Sequence, residues 1–82
     1  MWSVYVIWSE SGKLYTGVST DVNKRFRQHL GLIKGGAKFF RSDPPALLVY
    51  EEQGLTRAIA QQREAAIKKL NRKEKEELVF HF

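Results

Sequence analysis

Residues 2–29, WSVYVIWSESGKLYTGVSTDVNKRFRQH, constrain this chain more than any other stretch. Trp2-Ser3-Val4-Tyr5-Val6-Ile7-Trp8 has the β-branched and aromatic composition of a strand. Alternation puts Trp2, Val4, Val6 and Trp8 on one face, and Ser3, Tyr5 and Ile7 on the other. Ser9-Glu10-Ser11-Gly12 is turn chemistry, with Gly12 suited to a positive φ. Lys13 to Val18 then reads as the partner strand of a hairpin. Leu14 and Thr16 share one of its faces, and Lys13, Tyr15 and Gly17 share the other. Each strand therefore has a mixed face carrying a tyrosine.

Ser19, Thr20 and Asp21 are N-cap residue types placed before an apolar-periodic stretch. Val22, Phe26, Leu30 and Ile33 recur at three- and four-residue steps and predict the core stripe of an amphipathic helix that ends at Gly35-Gly36. Arg25 and His29 lie one turn apart along a flank of that stripe, where a side chain can reach the sheet. Lys24, Arg27 and Gln28 point further outward. Ala37 to Arg41 is long enough for one helical turn, and Ser42-Asp43-Pro44-Pro45 breaks the chain again. A third strand is predicted over Ala46–Glu52, closed by Gln53-Gly54. Thr56 caps a helix to about Leu70, and Asn71 to Val79 predicts a short last helix. In the long helix Ile59, Ala66, Ile67 and Leu70 form the expected apolar stripe, with Arg63 near its middle and Glu64 at its edge. A charge there needs a partner or a route to water.

The fold class that follows is α+β: a small three-stranded antiparallel sheet flanked by helices, in the order β-β-α-(short α)-β-α with a short C-terminal helix. At 82 residues the chain is read as one domain, residues 1–82. It has no cysteine, which removes disulfides and zinc-thiolate sites. No apolar run approaches the roughly 20 residues that span a bilayer. With no secretory signal visible, the expected location is the cytoplasm.

The net charge of +5 is unevenly spread. From Lys13 to Arg41 the basic residues Lys13, Lys24, Arg25, Arg27, Lys34, Lys38 and Arg41 face a single acid, Asp21. A concentrated positive stretch favours a polyanionic partner, because lysine and arginine release counterions from phosphate. Gly17, Lys24, Arg27, Lys34, Lys38 and Arg41 are the residues expected to meet nucleic acid, Gly17 by leaving room for close backbone approach. Trp2 and Trp8 are expected in the core, and His81 is expected to be a terminal bystander.

Element order and particular residues together resemble the GIY-YIG endonuclease domain, and closely its small stand-alone bacterial form. Ser3-Val4-Tyr5 is similar to the first family motif, keeping the tyrosine but not the glycine. Tyr15-Thr16-Gly17 is similar to the second, keeping both tyrosine and glycine. Residues 19–29 match the family's helix with an arginine and a histidine one turn apart, and the helix glutamate falls on Glu64. The larger repair and restriction enzymes carry an asparagine a dozen residues later; here that position is Glu76, with Asn71 nearer.

The resemblance implies a metal-dependent endonuclease that hydrolyses DNA phosphodiester bonds, in DNA repair or recombination. The implied catalytic residues are Tyr5, Tyr15, Arg25, His29 and Glu64. Glu64 is the implied ligand of one Mg²⁺ (or Mn²⁺), an ion that keeps most of its waters. Arg25 offers a planar fork for phosphate oxygens. Tyr5 or Tyr15 is the implied general base, Tyr5 by preference, although a free phenol titrates near about pH 10. His29 would assist deprotonation or bind phosphate. The implied partners are DNA, branched or damaged forms included, and a further protein supplying specificity. The rival readings are a non-catalytic nucleic-acid-binding module and an interaction domain that keep the same fold.

Overall fold

A computed structural model describes residues 1–80 of the protein. Strands β1 (Trp2–Ser9) and β2 (Leu14–Ser19) form the expected hairpin, and helix α1 (Val22–His29) follows. A short helix α2 (Phe39–Ser42), a long strand β3 (Pro45–Leu55) and helices α3 (Arg57–Lys69) and α4 (Arg72–Phe80) complete the chain. The sheet is antiparallel throughout in the order β2-β1-β3, so the first strand is central. That place explains its sequence. Val4, Tyr5, Val6 and Ile7 are all buried because both faces of β1 are covered.

The two faces divide as the alternation predicts. Val4 and Val6 pack with Ile67 of α3 and Val79 of α4, joined by Leu14 and Val18 of β2. Tyr5 and Ile7 pack with Val22 of α1 and Phe40 of α2, joined by Tyr15 and Phe26. Trp8 stacks near Phe80 with ring centroids 4.7 Å apart, and Trp2 is half-buried under the Arg57 guanidinium. The hairpin turn forms at Gly12 with φ +90°.

Three local expectations are corrected. Helix α1 stops at His29 rather than at the Gly35-Gly36 pair. Gly31, at φ +83°, takes the left-handed position after the cap, its N–H bonding to the Gln28 carbonyl and that of Leu32 to Arg27. This double bond closes a helix end, so Leu30 and Ile33 leave the stripe and are 43% and 36% exposed. Strand β3 extends past Gln53-Gly54 to Leu55, because β1 still offers pairing at Trp2. Helix α3 turns Ala60 and Ile67 inward, while Ile59 and Ala66 are exposed. Arg63 has a partner: its guanidinium makes a two-pronged pair with Glu52 on β3, at 2.7 Å for Nη2 and 2.9 Å for Nε.

Both capped helix starts behave as expected. Asp21 accepts the Lys24 N–H at 3.0 Å, and Thr56 accepts that of Ile59 at 3.2 Å. Asn71 caps α4 reciprocally: its Oδ1 accepts the Glu74 N–H at 2.8 Å, while Glu74 accepts the Asn71 N–H at 3.0 Å. Among the described residues no helix is long and apolar enough to cross a membrane.

Candidate active site

Register places the first tyrosine over the glycine. Tyr5 lies directly opposite Gly17 across the β1–β2 ladder, and Ile7 opposite Tyr15. Opposed residues of a ladder project from the same face. The Tyr5 phenol therefore lies across Gly17, and a Cβ on residue 17 would collide with its hydroxyl and Cζ. Gly17 is buried. Its lack of a side chain is used by Tyr5, where the sequence suggested room for a nucleic-acid backbone. Tyr15, two residues along, sets its ring centroid 6.5 Å from that of Tyr5.

Helix α1 brings His29 onto the same face. The Tyr5 hydroxyl and His29 Nε2 are 2.9 Å apart, and the imidazole is only 4% exposed. The other ring nitrogen is also engaged: Nδ1 accepts the Ala37 backbone N–H at 3.2 Å. An amide can only donate, so Nδ1 carries no proton and a neutral ring must carry it on Nε2. Nε2–H then donates to the Tyr5 oxygen. Tyr15 and Phe40 flank the ring at centroid distances of 5.4 and 4.5 Å. Burial, followed by the charge of Arg25, pushes the imidazole down to about 4. His29 is neutral at pH 7, and its two nitrogens are occupied by protein.

Arg25 stands one turn earlier. Its Nη1 donates to Gln28 Oε1 at 3.0 Å and to the Gly35 carbonyl. Both protons of that nitrogen are thus used, and the same guanidinium also interacts with the Tyr5 phenol. Burial pushes the Tyr5 phenol up to about 12; the nearby Tyr15 adds to this, the Arg25 guanidinium opposes it, and the Glu64 carboxylate raises it further. Glu64 is carried by helix α3, which packs on the opposite sheet face. Its carboxylate is 3.4 Å from Lys68 Nζ and its side chain is 25% exposed. The structure gathers Tyr5, Tyr15 and His29 by contact and ties Arg25 beside them, while Glu64 stands on a helix that covers the other face of the sheet.

The donor set at Glu64 is a single carboxylate that already pairs with Lys68. Among the described residues no group of three or more His, Cys, Asp and Glu could enclose a metal ion. A single, partly exposed carboxylate suits a hard divalent cation that retains most of its waters better than it suits zinc. Asn71 is occupied as a helix cap and Glu76 pairs with Arg72 at 2.8 Å, so both have structural partners. Of the expected basic residues, all exposed, Lys34 and Arg41 share a recess beside His29. Arg27 lines a different groove with Phe26 and Leu47, and Lys24 lies in the first turn of α1. His81 lies outside the described residues. Gln28, Gly35 and Ala37 were not among the expected site residues. Gln28 was detectable as the polar residue one turn beyond Arg25; the other two act through backbone atoms that leave no side-chain signal.

Comparison with known proteins agrees with this architecture. A UPF0213 protein of Pseudomonas aeruginosa is 44% identical over 78 residues, covering 95% of this chain and 73% of the relative. The UPF0213 protein YhbQ of Escherichia coli is 37% identical over 78 residues, covering 95% and 76% respectively. The solution NMR structure of a UPF0213 protein from Bacillus halodurans superposes with a TM-score of 0.61 at 35% identity, covering 99% of this chain and 85% of that one. The model of the GIY-YIG catalytic domain matches residues 1–77. The chain belongs to the GIY-YIG family.

Proposed function

We propose that the protein is a divalent-metal-dependent endonuclease that hydrolyses DNA phosphodiester bonds by direct attack of water. The family is one of nucleases, and the observation that carries the reading here is the Tyr5–His29 pair standing beside a half-anchored Arg25. Nη1 of Arg25 is spent on Gln28 and Gly35, which fixes the plane of the guanidinium. The guanidinium, which also interacts with the Tyr5 phenol, is the proposed holder of the non-bridging oxygens of the scissile phosphate, a planar fork that lysine cannot reproduce.

Tyr5 is the proposed base and Tyr15 orients water or phosphate. The proton on His29 Nε2 is directed at the Tyr5 oxygen, so the phenol's own hydrogen must point elsewhere. Once that hydrogen leaves, the phenolate keeps a hydrogen bond from the imidazole and the attraction of Arg25. The phenolate takes a proton from water as the new O–P bond forms; the P–O bond to the departing strand breaks, and that oxygen is protonated from solvent. His29 is thus a donor to the base, not a second base or a phosphate ligand. A hydrated Mg²⁺ or Mn²⁺ held by Glu64 would supply positive charge for the crowded phosphorus and the leaving oxygen, and would cancel the carboxylate's upward push on Tyr5.

Lys24, Arg27, Lys34, Lys38 and Arg41 supply the salt-dependent hold on the backbone. A role in DNA repair or recombination, a cytoplasmic setting, branched or damaged DNA as substrate and a partner protein that confers specificity belong to the same proposal. The test is cleavage of nicked, branched and single-stranded DNA with Mg²⁺, with Mn²⁺ and with chelator. Glu64→Gln is expected to abolish cutting and leave DNA affinity largely intact, and Arg25→Lys to be almost inactive. An undiminished rate in either variant overturns its assignment. Salt-sensitive binding without cutting of any substrate instead identifies a binding module.

A further inference from the structure

The early end of α1 has left apolar side chains in an unusual place. Leu30 and Ile33 would complete the core stripe of a longer helix, yet they are 43% and 36% exposed. Both line a recess of about 510 Å³ between the end of α1, the loop that follows and α2. Phe40 contributes a third apolar wall, and Lys34 and Arg41 bring two cations. The size falls within the roughly 300–1,000 Å³ typical of small-ligand sites.

The recess shares its boundary with the candidate active site. His29 is part of its lining and is the residue bonded to Tyr5. Gly35 is also part of the lining, and its carbonyl holds Arg25. The recess and the Arg25 site therefore share a wall, made of Gln28, His29 and Gly35. Its chemistry fits one kind of neighbour: a flat group with apolar faces, polar edges and an attached anion. The Gln28 amide and the glycine backbone can meet polar edges, and Lys34 and Arg41 the anion.

We propose that the recess receives one unpaired nucleotide of the DNA strand, adjoining the phosphate that Arg25 holds. The base enters against Leu30, Ile33 and Phe40, and its phosphate faces Lys34 and Arg41. A paired base cannot enter without first leaving its stack, which costs least where the strand is already single or branched. The substrate preference that follows is for single-stranded segments and junctions over continuous duplex. This inference rests on the nuclease reading for its placement next to a scissile phosphate, but its test does not need cleavage.

The experiment uses the Glu64→Gln protein and single-stranded or flapped oligonucleotides carrying 2-aminopurine at successive positions. Binding is expected to change the emission of one labelled position and not of its neighbours. Ile33→Asp puts a carboxylate at the recess, and circular dichroism and the melting curve check that the variant keeps its fold. That variant is expected to lose the emission change and to bind the unpaired substrate about tenfold more weakly, with affinity for continuous duplex unchanged. Leu47→Asp, at a 60% exposed position in the other groove, is expected to keep the signal. Retention of the signal in Ile33→Asp, or DNA bound with no labelled position responding, overturns the proposal. Cutting by the parent protein is scored separately: a pocket signal without cleavage refutes the nuclease reading alone, cleavage without a pocket signal refutes the recess alone, and no DNA binding refutes both.

Discussion

The imidazole of His29 should make this fold sensitive to acid in a defined window. The unfolded side chain titrates near 6.5, whereas burial holds the folded one at about 4. Between those values the unfolded chain binds a proton that the folded chain refuses, so stability falls as pH falls. The contribution is fully present above about pH 6.5 and is lost on descent through about 4. At about 1.4 kcal/mol for each tenfold change, the interval corresponds to about 3 kcal/mol at most. His29 borders the open recess, so solvent screening reduces this to about 2 kcal/mol. Domains this small are marginally stable, so the loss is a sizeable fraction of the total. The perturbation is His29→Gln, whose amide can accept from Ala37 and donate to Tyr5 but does not titrate. Urea unfolding of both proteins between pH 7 and 4 cancels the carboxylates common to them. The wild type is expected to lose about 2 kcal/mol more than the variant across that range. ¹⁵N chemical shifts at pH 7 should report a proton on Nε2. Parallel stability curves, or a proton on Nδ1, would refute both the burial argument and the orientation of the Tyr5 bond.

Two further substitutions test neighbouring claims. Gly17→Ala places a Cβ against the Tyr5 hydroxyl, and is expected to cost about 1–3 kcal/mol while displacing the phenol from His29; an unchanged melting temperature would show that the phenol has room to move. Asn71→Ala removes the cap of α4 and should cost about 1 kcal/mol with cleavage unchanged. Cleavage lost from an otherwise stable Asn71→Ala protein would return Asn71 to the chemistry.

What the sequence revealed of this architecture depended on which atoms carried the signal. The two faces of β1 were readable because each has its own apolar series, Val4 and Val6 against Tyr5 and Ile7, and register then dictates that Tyr5 meets Gly17. The spacing of Arg25 and His29 was readable for the same reason, since side-chain periodicity is a property of residue types. The end of α1 was harder. Leu30 and Ile33 continue the helical period, and only the left-handed turn at Gly31 overrules them. Likewise Ile59 and Ala66 continue a plausible stripe on α3, but pairing of Arg63 with Glu52 fixes the rotation that turns Ala60 and Ile67 inward.

Least legible were contacts made by main-chain atoms, and these set the protonation of the site. The proton sits on Nε2 of His29 because the Ala37 amide occupies Nδ1. That amide can reach the ring because residue 36 crosses the carbonyl of Gln28, where any Cβ would collide. Gly35, just before it, supplies the carbonyl that anchors Arg25. The double glycine, which looks like a simple helix terminator, is thus the segment that lets one loop fix both the guanidinium and the imidazole. A side chain at position 36 would lift the loop, free Nδ1, and let His29 accept from Tyr5 as readily as donate to it.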